Sequence, residues 1–459
     1  MKYKEFYVII FAFIFIFLAK MLSNYIARTN YVDPYQDIDS KGYIYNAEKF
    51  YKFNKFVLKD DDKQAPYFSL GYPVFIGVIY KIFGPKNNAV IWLQILLTLL
   101  TCFLIFSISS LIWGQNVGII AFILSCLNVG FITFSNFILT ESLLLLLLTS
   151  FLYFFILFLY KYNYKYLVLS GFILGISIWV KPAAIYFIFL VLILLACLRQ
   201  ASVIPEHDPG SSQINKLKTI ILFMLAFYLP VIAYAYFNKI NYGQYTVTSI
   251  KDEAIYFYLL PKVLAIQNNS SERIEQRNIA KLISGNKIDP KSWDKVRNLF
   301  NKNLTQNYFL FIKIWCKNVL KTFLGLYSTN LKVLINKNLI GGELSFFKIK
   351  GNFLSRIINY IKSGTDLLSI KAIAVLEALW SLLRIFLIFA ALIFLLIKRK
   401  YKIFLFLFFY ILYFAFITGH DGCARFRIMF EPVLIILAAQ GLYMLYFRLK
   451  YKSCPLGEL

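Results

Sequence analysis

The feature that most constrains this chain is its succession of long apolar runs: Phe6–Leu22, Ala89–Trp113, Val117–Phe134, Ser142–Tyr160, Leu217–Phe237, Val375–Ile397, Ile403–Thr418 and Ile428–Tyr446. A run of about 18 apolar residues is long enough to cross a bilayer as a helix. In hydrocarbon the backbone must satisfy its own hydrogen bonds, so such runs fold as helices. Composition agrees, with 59% hydrophobic and 16% charged residues, against about 45–50% and about 25% in soluble domains. The expected fold is an all-α polytopic membrane protein, and soluble classes are excluded.

Two stretches need more care. Lys165–Arg199 is too long for one span and short for two, and Lys181-Pro182 lies at its middle. Proline breaks a helix interior, so two short spans joined by a tight turn are expected. Val74–Phe83 is apolar but too short to cross, which predicts an interfacial or re-entrant helix. The first run continues as Ser23-Asn24-Tyr25-Ile26-Ala27-Arg28 rather than as a cleavage site, predicting an uncleaved first span. The total is about ten spans.

Loop charges orient them. With the N-terminus inside, Lys161, Lys165, Arg199, Lys216, Lys218, Lys398, Arg399, Lys400, Lys402, Arg448, Lys450 and Lys452 all fall in inner loops or just past the last span. The short outer loop Asn136–Thr140 has no Lys or Arg. This obeys the positive-inside rule along the whole chain, so both termini are expected in the cytoplasm. Residues 28–88 and 238–374 are then outer-face segments. The organisation reads as 1–237, a membrane module with the first outer loop; 238–374, an outer region; and 375–459, the C-terminal spans. Within the outer region Tyr308–Tyr327 carries Lys313, Lys317 and Lys321 at spacings of four. These lysines share one helical face above apolar residues, which predicts a basic juxtamembrane helix in the interface.

The formal net charge is +26. No nucleic-acid motif accompanies it, so the excess points to anionic headgroups or phosphate-bearing substrates. The six cysteines are too widely spaced for a zinc or disulfide framework. His420, Asp421 and Cys423 form no recognised zinc pattern either. No metal site or cofactor is expected, although a divalent metal is compatible with the chemistry.

Candidate chemistry begins just after the first span, at Asp37 and Asp39. A carboxylate there suits a general base acting on an acceptor hydroxyl. Capping of a juxtamembrane helix is the alternative, since Asp favours N-caps. Glu141 opens a span, where it complements the helix dipole in any case. Lys181, Arg425 and Arg427 are expected at the same face, where basic residues also simply snorkel. Glu377 and Arg384 fall inside a predicted span, where charge is expensive; pairing with other helices or a place near the interface would relieve it.

Several of these residues sit in ordered motifs. Asp39-x-x-x-Tyr43-x-x-x-Ala47 is followed by Gly71-Tyr72-Pro73-Val74-Phe75, Gln94-Ile95-Leu96-Leu97 and Leu139-Thr140-Glu141-Ser142-Leu143. Then come Gly171–Pro182 and Arg425-Phe426-Arg427-Ile428-Met429-Phe430-Glu431-Pro432. In this order they resemble the GT-C glycosyltransferases, in particular bacterial relatives of protein O-mannosyltransferases and of the lipid A aminoarabinose transferase. Departures are Lys181 where Arg is usual, Leu70 where Pro commonly precedes Gly-Tyr-Pro, and Ser40 where many relatives carry Glu. Region 238–374 matches only in its basic helix.

The resemblance implies a multi-helix scaffold with its active site at the outer face of the cytoplasmic membrane. It implies a polyprenyl-phosphate or polyprenyl-diphosphate sugar as donor, a lipid, glycan or protein as acceptor, and inversion at the anomeric carbon. Asp39 would be the base, with Asp37 and Glu141 as further catalytic carboxylates. Lys181, Arg425 and Arg427 would hold the donor phosphate, and Tyr43 and Tyr72 would line the substrate pocket. Two other classes compete: a flippase or transporter of lipid-linked oligosaccharide, and a polysaccharide polymerase. A transporter would favour mid-membrane charges and paired broken helices, whereas here the candidate charges gather at one face.

Overall fold

The computed structural model describes residues 2–29, 38–55, 69–197, 215–243, 245–248, 254–283, 293–335, 351–362 and 368–450. Asp37 lies outside them. The described chain is helical. Among the described residues seven helices are long and apolar enough to span a membrane. With shorter apolar helices between them, the bundle has about ten membrane helices.

α1 (Lys2–Thr29) leads to α2 (Ile38–Phe53) and α3 (Gly71–Phe83), which pack on each other. At 13 residues, α3 is too short to cross, as expected from its run. Pro73 in its first turn costs no helical hydrogen bond. Gly71 lets α3 close onto the bundle, because a Cβ there would lie 2.6 Å from the Trp179 carbonyl carbon and oxygen.

α4 (Asn87–Trp113) is one continuous span, but Val117–Phe134 is not. It divides into α5 (Gln115–Cys126) and α6 (Val129–Phe134). The cause is Asn128, whose side-chain oxygen accepts from the Phe131 amide at 3.1 Å and caps a new helix within the apolar run. α7 (Glu141–Lys161) and α8 (Tyr164–Val180) are joined by Tyr162, a left-handed residue with φ 51°.

α8 stops where the sequence places its break. Lys181 is extended (φ −155°, ψ 122°), as a residue before proline tends to be. Pro182–Ala184 is a 3-10 turn, and α9 (Phe187–Ala196) runs on from it. α10 (Lys216–Tyr242) carries Pro230 inside it. The Pro230 carbonyl accepts from the Trp179 indole at 2.9 Å, tying α10 to α8.

Beyond α10 a small separate core forms around Trp293, Leu260, Ile279 and Phe311. Its helices include α11 (Leu260–Gln267), α12 (Glu272–Leu282) and α13 (Asp294–Leu324). α13 contains the expected basic helix. It bends at Asn307 and buries Phe311, Ile314, Asn318 and Thr322. α14 (Ser328–Ile335) and α15 (Phe353–Lys362) follow. The chain then re-enters the bundle through α16 (Leu368–Ile397), α17 (Tyr401–Ile417) and α18 (Glu431–Lys450). The loop between α17 and α18 holds a 3-10 helix, Ala424–Met429.

One end of the bundle is lysine-rich. Lys400 donates to the Ile112 carbonyl at 2.8 Å, Lys402 donates to the Tyr162 hydroxyl at 2.7 Å, and Lys218 lies over the Tyr164 ring. The residues singled out for chemistry sit at the other end.

Candidate active site

Four elements meet there. α2 brings Asp39 in its first turn, α7 brings Glu141 at its N-terminus, the α8 break brings Lys181, and the 3-10 helix brings Arg425. Arg425 is the hub. Its Nε donates to Glu141 Oε1 at 2.6 Å and its Nη1 to Asp39 Oδ2 at 2.9 Å. Lys181 Nζ lies 3.5 Å from the same Glu141 oxygen. Two carboxylates and two cations from opposite ends of the sequence thus form one neutral cluster.

Their exposure differs. The Glu141 side chain is fully buried, while that of Asp39 is 40% exposed. A buried carboxylate is costly unless paired and hydrogen-bonded, and Glu141 meets that condition with two cations and a Thr140 hydroxyl contact at 3.5 Å. Burial pulls the Arg425 guanidinium down, but Glu141 and Asp39 outweigh it and hold its pKa well above the ordinary value. Burial also draws Lys181 below the usual lysine range, against the opposing pull of Glu141. The pre-proline backbone at Lys181 aims its ammonium at the cluster, where it also lies 5.0 Å from the Phe426 ring.

Tyr43 is buried next to the cluster, and burial raises its phenol well above the ordinary value. It meets Tyr72 edge-on with ring centroids 5.1 Å apart. The Tyr72 hydroxyl donates to Gln94, and Gln94 donates to the Phe137 carbonyl at 2.7 Å and the Ser135 carbonyl at 3.2 Å. A chain of polar contacts therefore fixes the turn that delivers Thr140 and Glu141. The motif Gln94-Ile95-Leu96-Leu97 marks Gln94 in the sequence, but this bracing role appears only in the contacts.

Arg427 does not join this cluster. It is buried and turns the other way, donating to Glu431 at 2.8 Å and to the Phe323 and Gly325 carbonyls at 2.9 and 2.5 Å. Glu377 lies 3.6 Å away, and the Tyr327 ring stacks beneath the guanidinium at 4.2 Å. Arg384 pairs with Glu431 at 2.6 Å, and Asn128 donates to Glu431 at 2.9 Å. Glu377 accepts the Tyr327 and Ser328 amides at 2.6 and 2.9 Å. The two charges expected inside a span, Glu377 and Arg384, thus find their partners in other elements.

His420, Asp421 and Cys423 are also held by other groups or buried. His420 Nδ1 contacts the Ile417 carbonyl at 3.0 Å, Asp421 pairs with Lys262 at 2.9 Å, and burial raises the Cys423 thiol. Among the described residues no three His, Cys, Asp or Glu side chains gather in a way that would hold a metal.

Residues 68–235 match the family model described as dolichyl-phosphate-mannose-protein mannosyltransferase. The fold is like that of the archaeal oligosaccharyltransferase AglB from Archaeoglobus fulgidus, solved with an inhibitory peptide and a dolichol-phosphate. The TM-score is 0.50 at 12% identity, over 98% of this chain and 52% of that one. The apo form of the Archaeoglobus fulgidus oligosaccharyltransferase gives 0.51 at 13% identity, over 96% and 51%. The bundle shares the fold of these oligosaccharyltransferases. The chain spans about half the length of the solved structures that it matches. No curated protein matches it. The family match runs from α3 into α10, and so includes Glu141 and Lys181 of the cluster but neither Asp39 nor Arg425.

Proposed function

We propose that this chain is a glycosyltransferase. It moves a sugar from a polyprenyl-phosphate or polyprenyl-diphosphate carrier to a hydroxyl acceptor at the outer face of the cytoplasmic membrane. The observation that carries the reading is the Asp39–Arg425–Glu141–Lys181 cluster. It joins a half-open carboxylate to two cations held by a sealed one.

Each part has a role in the transfer. Asp39 takes the acceptor O–H proton as that oxygen attacks the anomeric carbon. The bond from that carbon to the carrier phosphate breaks, and the phosphate leaves with the electron pair. Attack opposite the leaving group inverts the anomeric centre. A phosphate needs no general acid to leave, but negative charge builds on it and must be met by cations already in place. Lys181 and Arg425 are those cations, and Glu141 keeps them aimed. A donor phosphate competes with Asp39 for Arg425, so donor arrival frees the base. Arg427, being sealed, is assigned to holding the turn rather than to the phosphate. Tyr43 and Tyr72 back the pocket behind Asp39. The lysines at the opposite end of the bundle support an inner face there and the site outside.

The test is transfer of radiolabelled sugar from polyprenyl-phosphate donors to a membrane extract by purified protein. Wild type and Asp37→Asn should transfer, while Asp39→Asn should lose about 10²–10⁴-fold, the usual contribution of a general base. Full activity in a folded Asp39→Asn variant would remove the mechanism.

A further inference from the structure

α13 carries a basic face and packs against the 3-10 helix that holds Arg425. Lys313, Lys317 and Lys321 recur every four residues and so share one helical face. Their exposure falls along the helix. Lys313 and Lys317 are exposed and Lys321 is half-buried. Neither Lys317 nor Lys321 has a hydrogen bond or ion pair to a side chain among the described residues. Lys262 approaches from α11, but it is engaged with Asp421 at 2.9 Å and lies 4.0 Å from Glu272. Lys317 and Lys321 are therefore not in direct contact with an acid among the described residues, and Glu272 and Asp421 act on Lys321 only through space. Burial, with Lys262 and Lys317 nearby, lowers the Lys321 ammonium below the usual lysine value against the opposing pull of Glu272 and Asp421.

This face is fixed relative to the candidate active site. Asn318, beside Lys317, donates to the Gly419 carbonyl at 2.8 Å, and the Thr322 and Thr418 hydroxyls meet at 3.2 Å. Gly422 has φ +76°, and a Cβ there would lie 2.6 Å from Asn318 Cα, so the loop can sit against α13 only as glycine. At the end of α13, a Cβ on Gly325 would lie 2.9 Å from Ala424 Cβ, the residue before Arg425. Lys321 is one turn back from Gly325, about 6 Å along the helix axis. Lys317 and Lys321 thus stand on the helix that packs against the loop carrying Arg425.

We propose that Lys317 and Lys321 form a second anion site that receives a phosphate group of the acceptor. The inference rests on the glycosyltransferase reading, in which Arg425 and Lys181 take the donor phosphate. The acceptor is then a phosphate-bearing molecule rather than a neutral hydroxyl compound. Lys313 and Lys317 form the exposed approach, and Lys321 is the inner contact.

Amine labelling read by mass spectrometry tests the site without any requirement for turnover. Purified protein in neutral detergent is methylated with and without inorganic phosphate or pyrophosphate. Several-fold slower labelling of Lys317 and Lys321, with Lys313 little changed, is expected. The same protection should persist in Arg425→Lys, which separates this site from the donor site. No protection by either ion overturns the proposal. Protection that appears only in nanodiscs containing phosphatidylglycerol, and not with soluble ions or in phosphatidylcholine nanodiscs, also overturns it by assigning the lysines to bilayer headgroups. If transfer is established, Lys317→Gln/Lys321→Gln should raise the acceptor KM several-fold and leave the donor KM unchanged. The reverse pattern would refute the acceptor assignment.

Discussion

Arg425 and Arg427 are two residues apart on one short 3-10 helix, yet they serve clusters of opposite character. Both clusters pair arginine with two glutamate or aspartate carboxylates and add a second cation. Around Arg427 the charges Arg384, Glu377 and Glu431 are all buried, and their remaining hydrogen-bonding capacity goes to Asn128, Tyr327 and backbone groups. Around Arg425 the Asp39 carboxylate is 40% exposed. Pairing alone therefore does not distinguish a structural ion network from a reactive one. The distinguishing feature is a charged group whose partner can be exchanged for something arriving from outside.

Three changes would break or sharpen that contrast. The largest effect is expected in the sealed cluster. Removing one partner of a buried ion pair leaves the other uncompensated, so Glu431→Gln should cost about 3–5 kcal/mol. In detergent this should read as a much lower melting temperature or loss of folded protein. A Glu431→Gln protein as stable as wild type would remove the distinction. Next is Arg425→Lys, which keeps the charge but loses the forked geometry that spans Asp39 and Glu141. Transfer should fall about 10²-fold, the scale of losing one preorganised donor. The loss of thermal stability should be smaller than for Glu431→Gln, and equal losses would mean that both clusters are structural. The mildest change is Lys181→Arg. The lowered Lys181 ammonium is charged below its folded pKa and neutral above it, so donor binding should weaken on the alkaline side at a pH below the usual lysine range. Arginine keeps its charge there, so a KM–pH profile of Lys181→Arg should lack that limb. An unchanged limb would assign the titration elsewhere.

The membrane path was readable because hydropathy is a local signal of one helix length. The Lys181-Pro182 break was readable for the same reason, since a proline acts on its own neighbours. Asn128 was missed because one amide barely alters the hydropathy of an apolar run, and its capping bond appears only once the chain turns there. Asp39, Glu141, Lys181 and Arg425 were legible as residue types in ordered motifs, but not as a cluster: Asp39 and Arg425 are 386 positions apart. The direction of Arg427 was not legible at all. It depends on the Phe323 and Gly325 carbonyls and on Glu377 and Glu431, three of which come from elements outside its own motif.

The 3-10 geometry of Ala424–Met429 has a consequence for how this protein can change over time. At three residues per turn, positions two apart point about 240° apart around the axis, which is what sends one arginine to each cluster. Substitution at Phe426 would leave that division of directions in place. Deleting it, or inserting one residue, would rotate one guanidinium out of its nest and leave the acids of that cluster short of a partner. Drift in side chains is thus cheap in this loop and drift in length is not. Among descendants of this chain, the spacing between the two arginines should outlast the identity of what stands between them.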